Sequence, residues 1–204
     1  MNIGFFASHN GSNMQAVIDA CKDGSLDANP SIVISNNGNA GAVKRAKKEN
    51  IPYYIFNTTT YFSSVDLDNA MLNTLLQHEV ELIILAGYMK KIGPGMLRSF
   101  PNRILNSHPS LLPNYCGPGM YGKKVHEAVL AAGEKKTGVT IHLVDEEYDH
   151  GPIVDQVKLC INPDQSLEKL ERTIKSVEHN LWVDTIRKLQ QGLIDLDSMA
   201  VDSF

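Results

Sequence analysis

The sequence predicts a single α/β domain built on a doubly wound, mostly parallel sheet, with an antiparallel edge pair and a long C-terminal helix. Short apolar runs alternate with amphipathic helical patterns through the first half of the 204-residue chain. One run, VELIILAGY, is apolar almost throughout, as expected for a central strand buried on both faces. Two later β-rich runs, GVTIHLVD and PIVDQVKLCI, follow each other so closely that an antiparallel pair is predicted.

The first five strands and their helices are predicted in chain order. NIGFFAS is the first strand, and Met14, Val17, Ile18 and Cys21 then follow at helical spacing. SIVISN and YYIFN are the next two strands, with a helix over AGAVKRAKKEN between them. A short helix near PGMLRSF separates VELIILAGY from RILNSH. Between YYIFN and VELIILAGY, an amphipathic helix is predicted over 65–79, and its apolar side is formed by Leu67, Met71, Leu72, Leu75 and Leu76.

The last third is predicted to contain two more helices. One lies near Lys124 to Ala132, ahead of the antiparallel pair. The other runs from about Ser166 to Gln191, and residues 192–204 are expected to be frayed. Its apolar stripe repeats at three- and four-residue steps through Leu167, Leu170, Ile174, Val177 and Leu181.

Composition and charge restrict the kinds of partner and the cellular compartment that are expected for this protein. The net charge is −4 and no block of Lys or Arg occurs, which disfavours a nucleic-acid partner. The longest apolar run, Leu82 to Met89, is too short to span a bilayer, and the N-terminus lacks the basic region of a signal peptide. The three cysteines are sparse, and no spacing of His and Cys matches a metal site. A cytoplasmic protein without a disulfide framework or metal is therefore predicted.

The first strand–helix turn, SHNGSNMQ, has the features of a phosphate site. Gly11 permits a tight turn, and Ser12 or Asn13 can cap the helix that follows. Exposed N–H groups and the positive end of the helix dipole favour a bound phosphate there. The turn matches neither a P-loop nor GxGxxG, so an ordinary capped turn is the alternative interpretation.

The strand end ILNSH carries the residues of an acyl-transfer site. Asn106 and His108 are two apart, so they share one face of an extended strand. Together they can bind the oxygen of a tetrahedral intermediate and move a proton. A carboxylate reaching His108 would stabilise a proton on the ring, and Asp149 is the candidate from VDEEYDHGPIV. Without further information, a structural histidine, or another of the four acidic residues in that stretch, fits as well.

Four segments together carry a resemblance to a known family. HNGSN, LAGYMKKI, ILNSHPSLLP and DHGPIV occur in the order and approximate spacing of the folate-dependent formyltransferases, from Met1 to about Gln191. The resemblance implies transfer of a formyl group from 10-formyltetrahydrofolate to the amine of 5′-phosphoribosylglycinamide in purine biosynthesis. It implies direct attack by the amine, with folate as co-substrate and no metal. NGSN and the VEH of the last helix favour this acceptor.

The resemblance also implies roles for particular residues. Asn106 and His108 would bind the oxyanion, with His108 donating a proton, and Asp149 would keep His108 protonated. Glu178 would face the ribose of the substrate. The substrate phosphate would be held by Gly11, Ser12 and Asn13. The folate pocket would be lined by Met89, Lys90, Lys91, Ile92, Asn106, Asp145, Glu146, Glu147, Tyr148 and Asp149.

Several positions depart from the family pattern. Lys91 stands where an aliphatic residue is expected, and a basic residue expected near Ser64 is missing, although Lys90 can supply positive charge. The segment from Cys116 to Lys124 is long and is predicted to form a loop or lid that brings Met120 or Tyr121 to ligand. His126 and His142 match relatives, and a structural role is expected for both.

Other activities on the same three residues remain open from the sequence. A methionyl-tRNA formyltransferase would carry a second, basic domain, and a formyltetrahydrofolate deformylase an extra N-terminal one. A sugar-nucleotide formyltransferase, another amine formyltransferase or a formylfolate hydrolase are alternatives, and a non-catalytic nucleotide or folate binder is the non-enzymatic one. Small-molecule partners are expected, in a monomer or homodimer.

Overall fold

The computed structural model describes residues 1–162 and 164–199, whose strands form a mostly parallel seven-stranded sheet in the order β3-β2-β1-β4-β5-β6-β7. This confirms the predicted fold class, including the antiparallel pair β6–β7 and the long last helix. The elements in chain order are β1 Asn2–Phe6, α1 Ser12–Lys22, β2 Asn29–Ser35, α2 Gly41–Lys48, β3 Tyr53–Ile55, α3 Ser64–Gln77, β4 Leu82–Leu85, α4 Pro94–Ser99, β5 Ile104–His108, α5 Lys123–Ala131, β6 Lys136–Leu143, β7 Ile153–Cys160, α6 Leu167–Gln190 and a 3-10 helix Leu196–Ser198.

The chain folds as two compact units, residues 1–105 and the chain from 106 onward. In the first unit β1 pairs in parallel with β2 and β4, and β2 pairs in parallel with β3. Phe5 and Ile84 are fully buried in this sheet. Gly4 lies where a Cβ atom would come within 3.1 Å of Leu75 and Val80, so β1 packs closely against the end of α3.

In the second unit, β6 and β7 pair antiparallel, with Val139 opposite Val157. Helix α6 packs against both strands. Asp155 of β7 accepts hydrogen bonds from Thr185 at 3.0 Å and from Lys188 at 2.5 Å, which tie the second half of α6 to β7. The register of the pair fixes which side chains of β6 face the site described below.

Helices α3 and α6 both begin at a serine cap. The Ser63 hydroxyl accepts from the N–H of Asp66, and the Ser166 hydroxyl accepts from that of Lys169. The prediction that Leu76 belongs to the apolar side of α3 is wrong, because this side chain is 57% exposed. Leu76 lies about 100° around the helix from the buried Leu75, at the edge of a narrower stripe.

Part of the tail that was expected to be frayed has regular structure. The carboxylate of Asp195 caps a 3-10 helix, and Leu196 within that helix is buried. The remainder of that predicted tail, 200–204, lies outside the described residues. Across the part of the chain that the structure describes, every helix is too short or too polar to cross a bilayer.

Candidate active site

Strand β5 ends at His108, whose side chain is almost fully buried and held at both ring nitrogens. Its Nε2 lies 2.7 Å from the carbonyl oxygen of Tyr115. A carbonyl only accepts hydrogen bonds, so Nε2 carries a hydrogen and donates it. The other nitrogen, Nδ1, lies 3.4 Å from Oδ2 of Asp149. The ring is therefore fixed in orientation, with Nδ1 directed at a carboxylate.

Asp149 reaches His108 from the loop between β6 and β7. Its backbone has φ +56, a left-handed conformation that Asp tolerates better than most residues. The N–H of Gly117 donates to Oδ2 at 3.1 Å. Burial acts to raise the pKa of Asp149, but the hydrogen bond and charge of His108, together with the Gly117 N–H, lower it below its ordinary value. Asp149 is therefore ionised at neutral pH.

The other acidic residues of this loop have different surroundings. Asp145 accepts from the backbone N–H of Glu147 and pairs with Nδ1 of His150, each at 2.8 Å. Glu146 and Tyr148 are exposed, as is Glu147. Among the described contacts of the loop, the carboxylate that faces His108 is that of Asp149.

Asn106 is oriented by His142 of β6. Nδ1 of His142 lies 2.8 Å from the carbonyl oxygen of Leu143, so it must donate. Nε2 of the neutral ring then accepts from Nδ2 of Asn106 at 3.1 Å. Burial lowers the pKa of His142 despite opposing contributions from Leu143 and Asp149, which favours this neutral form. The Asn106 amide thus has a fixed direction.

This contact gives His142 a role beside the site that the sequence analysis did not assign. His142 Nε2 also lies 3.7 Å from Oδ1 of Asp149, so it stands beside two of the three candidate residues. The sequence offered no signal that joins a histidine on one apolar strand to Asn106 on another. The link is visible only in the structure, where one ring nitrogen of His142 donates to a backbone carbonyl and the other accepts from Asn106.

His126 of α5 is also buried, and its Nδ1 has no hydrogen-bond partner among the described residues. Burial lowers the pKa of His126, Glu171 opposes the change, and the charge of His108 adds to the lowering. A buried histidine with such surroundings is favoured in its neutral form.

We expect the free energy of unfolding to fall as the pH drops below about 6.5. The pKa values of His126 and His142 are lowered in the folded protein, so below 6.5 the unfolded chain binds more protons. Their stabilising contribution is complete above 6.5 and is lost as the pH falls through the folded values. Urea unfolding of His126→Leu between pH 7.5 and 5 should show a shallower decline. The exposed His9 provides the control, because His9→Gln should retain the wild-type dependence of the free energy of unfolding on pH. Equal pH dependence in His126→Leu and wild type would refute the expectation.

The turn that is predicted to bind phosphate lies in the first unit, and the residue that caps its helix differs from the prediction. Helix α1 begins at Ser12 with Gly11 as its N-cap, and no side chain supplies a capping hydrogen bond. The prediction that Ser12 or Asn13 caps α1 is wrong, because the left-handed backbone of Gly11 (φ +65) makes the turn and places both residues inside the helix. Arg45 donates from Nε to the carbonyl of Asn10 at 2.9 Å and so holds the turn from α2.

Gly11→Ala is expected to destabilise the protein more than Gly24→Ala. Both glycines have positive φ, which costs a non-glycine residue roughly 1–2 kcal/mol. A Cβ atom at Gly11 would also lie 2.8 Å from Cβ of Ala42, whereas at Gly24 nothing lies within 4 Å. Equilibrium unfolding of both variants measures the difference, which we expect to be about 1 kcal/mol or more. Equal losses would show that the close approach to Ala42 carries no cost.

The predicted folate-lining segment 89–92 also belongs to the first unit. The N–H of Met89 donates to the Ser8 hydroxyl at 2.8 Å, and that hydroxyl donates to Oδ1 of Asn36 at 2.6 Å. Lys90 and Lys91 are exposed, whereas Ile92 is 5% exposed. Lys91 thus occupies a solvent-facing position, which a charged side chain tolerates.

Glu178 and the 116–124 segment complete the predicted residues of the second unit. Oε1 of Glu178 accepts from the Ser107 hydroxyl at 2.6 Å. In the 116–124 segment, Gly117, Gly119 and Gly122 have positive φ, and Tyr121 is half exposed. Contact of Met120 or Tyr121 with a ligand stays a prediction.

The structure brings three predicted side chains together within one unit. His142 contacts Asn106 and Asp149, and Asp149 contacts His108. The donors and the carboxylate of Asn106, His108 and Asp149 suit proton transfer beside an oxyanion. Gly11 to Asn13 and Met89 to Ile92 are placed in the first unit. Within the described residues no group of three or more His, Cys, Asp or Glu is arranged to hold a metal.

This fold and site match a known family: the chain belongs to the formyl transferase family, whose pattern fits residues 1–186. It is 37% identical over 199 residues to the phosphoribosylglycinamide formyltransferase of Haemophilus influenzae, covering 97% of this chain and 92% of that one. It is 36% identical over 184 residues to the Bacillus subtilis protein of the same name, covering 90% and 92%. The crystal structure of phosphoribosylglycinamide formyltransferase from Bacillus halodurans superposes with a TM-score of 0.86 at 35% identity, covering 95% and 97%.

Proposed function

We propose that this chain transfers a formyl group from 10-formyltetrahydrofolate to the primary amine of 5′-phosphoribosylglycinamide, a step of purine biosynthesis. The observation that carries the proposal is the placement of Asp149 3.4 Å from Nδ1 of His108, with Asn106 fixed beside them by His142. Relatives that share 36–37% identity over nearly the whole chain carry the name of this activity. We further propose that the chain works as one cytoplasmic domain, as a monomer or homodimer, without nucleic acid.

Asn106 and His108 are assigned to the developing oxyanion. The folate co-substrate supplies the formyl group, and the substrate amine is itself the nucleophile, so no covalent bond to the protein is needed. An asparagine amide has two N–H donors, of which His142 accepts one. The second N–H is assigned to the formyl oxygen as negative charge develops on it. Because His142 fixes the amide before the reaction, little reorganisation is needed during it.

His108 and Asp149 are assigned to proton movement. Nε2 of His108 is bound to the Tyr115 carbonyl, so Nδ1 is the nitrogen that exchanges a proton. When the substrate amine attacks the formyl group, the amine nitrogen must lose a proton and the leaving nitrogen of folate must gain one. The ionised Asp149 stabilises a proton on Nδ1 and can accept one in turn. A metal is not required for this exchange.

The remaining residues are assigned to binding. Backbone N–H groups in the first turn of α1 have no acceptor within the helix, so the turn at Gly11, Ser12 and Asn13 suits the substrate phosphate. Glu178 is assigned to the ribose hydroxyls. Folate is assigned to residues of the two loops that follow β4 and β6, namely Met89, Lys90, Lys91, Ile92, Asp145, Glu146, Glu147, Tyr148 and Asp149, with Asn106.

The test is whether release of deformylated folate depends on the amine. The protein is mixed with 10-formyltetrahydrofolate, with and without 5′-phosphoribosylglycinamide, and both folate and the formylated amine are quantified. We expect one formylated amine per folate released and little release without the amine. Release independent of the amine would indicate a formylfolate hydrolase, and the absence of any release would indicate a non-catalytic binder; either result overturns the proposal.

A further inference from the structure

We propose that Ser107 is a positioning residue for Glu178 and that the buried Trp182 orients the Ser107 hydroxyl. Together they hold the Glu178 carboxylate ready to bind the vicinal hydroxyls of a ribose 5-phosphate group. The inference rests on the proposed function for the assignment of Glu178 to the sugar. It adds a specificity element that lies outside Asn106, His108 and Asp149.

Ser107 lies between Asn106 and His108 in β5 but serves a different face. Side chains alternate along a strand, so Ser107 projects away from its two neighbours and toward α6. Its hydroxyl lies 2.6 Å from Oε1 of Glu178. That separation is typical of a charge-assisted O–H···O⁻ bond, which is stronger than a bond between neutral groups.

The direction of the hydrogen bonds follows from the chemistry of the three groups. Nε1 of Trp182 can only donate, and it lies 3.2 Å from Oγ of Ser107. The Ser107 hydroxyl therefore accepts from Trp182, and its single hydrogen is directed to the Glu178 carboxylate, which accepts. Glu178 and Trp182 are four residues apart on α6 and so share one face of the helix.

Trp182 provides a fixed reference for this chain of hydrogen bonds. Its side chain is fully buried, whereas Ser107 and Glu178 are half-buried at the edge of the site. A free glutamate side chain loses rotamer entropy when it becomes ordered, and that loss opposes binding. Fixing Glu178 before the sugar arrives removes part of that cost from binding. Ser107 should therefore affect the affinity for the sugar phosphate, not the transfer of the formyl group.

The arrangement also provides its own optical probe. Trp182 is the only tryptophan among the 204 residues, and it is joined through Ser107 to the carboxylate assigned to the ribose. Binding of a sugar phosphate at Glu178 should therefore change the tryptophan emission. Loss of the Ser107 hydroxyl should uncouple that change from binding.

The experiment compares wild type, Ser107→Ala and Trp182→Phe by calorimetric titration with 5′-phosphoribosylglycinamide and with ribose 5-phosphate. We expect Ser107→Ala to raise Kd for both ligands about tenfold, as loss of a charge-assisted bond implies. Trp182→Phe keeps the aromatic packing without the N–H, so a smaller rise of about threefold is expected. KM for 10-formyltetrahydrofolate and kcat should stay within about twofold of wild type, and the emission change should disappear in Ser107→Ala.

Glu178→Gln provides the test of coupling. In that background Ser107→Ala should add little further weakening, because both substitutions break one interaction. The proposal is overturned if Ser107→Ala binds both ligands as wild type does, or if wild type binds neither ligand. It is also overturned if kcat falls without a change in Kd. A wild type that binds ribose 5-phosphate in this Ser107-dependent way yet transfers no formyl group would refute the proposed function and support this inference.

Discussion

His108→Ala is expected to lower kcat/KM for formyl transfer by about 10²–10⁴-fold, the range typical for loss of a positioned acid–base group. The imidazole is held by the Tyr115 carbonyl at one nitrogen and faces Asp149 with the other, so the ring is fixed where the proton must move. Alanine removes both the proton carrier and one of the two donors assigned to the oxyanion. Steady-state kinetics with both substrates varied measures the loss.

The matched control for this substitution is His78→Ala. His78 lies in the first unit, where its Nε2 contacts the hydroxyl of Tyr54 at 3.3 Å near the surface. We expect that variant to retain wild-type turnover. A His108→Ala protein that is folded and turns over at the wild-type rate would contradict the assignment of His108.

Asp149→Asn is expected to reduce kcat by about a hundredfold or more, because an amide cannot stabilise a proton on His108 as a carboxylate does. The substitution suits the backbone, since asparagine also tolerates the left-handed conformation found at φ +56. The amide nearly preserves the volume of the side chain, so the loss should be in turnover rather than in folding. Rates measured at saturating substrate give kcat directly.

Asp149→Asn should also remove one acid-sensitive contribution to stability. The pKa of Asp149 is lowered in the folded protein, so the wild-type carboxylate stabilises the fold above the ordinary value of 3.8. That contribution is lost as the pH falls below 3.8 through the lowered value. Unfolding experiments in acid should therefore show a flatter profile in the variant. The exposed Asp184, which pairs with Arg187, provides the control. Asp184→Asn should keep the wild-type activity and the wild-type dependence of stability on pH. An equal loss of activity in Asp184→Asn would contradict the assignment of Asp149.

The architecture was largely predictable because it depends on local patterns. Alternating apolar runs and amphipathic helices identify the sheet, and the short separation of the last two strands identifies the antiparallel pair. The predicted apolar side of α3 was wrong at Leu76, because helical periodicity alone does not show how wide a face the sheet covers. The cap of α1 was assigned to the wrong residues, because the choice depends on the backbone conformation of Gly11.

The site was predictable only as far as a motif specifies residues. Asn106 and His108 follow from the strand end, but choosing Asp149 among its acidic neighbours depends on which loop position reaches His108. The link from His142 to Asn106 joins residues 36 positions apart, and no local pattern encodes it. The Ser107–Glu178 bond likewise joins positions 71 apart. Such contacts arise from strand pairing and helix packing, which a single sequence does not reveal.

The most direct test of the account is a crystal structure of the protein with 5′-phosphoribosylglycinamide and a stable analogue of the formylated folate bound together. We predict that the formyl carbon lies about 3–3.5 Å from the substrate amine, as expected for a near-attack arrangement. We also predict that its oxygen lies within hydrogen-bond distance of Nδ2 of Asn106 and Nδ1 of His108. A structure that places the formyl group away from both nitrogens, with His108 still enclosed between Tyr115 and Asp149, would contradict the account.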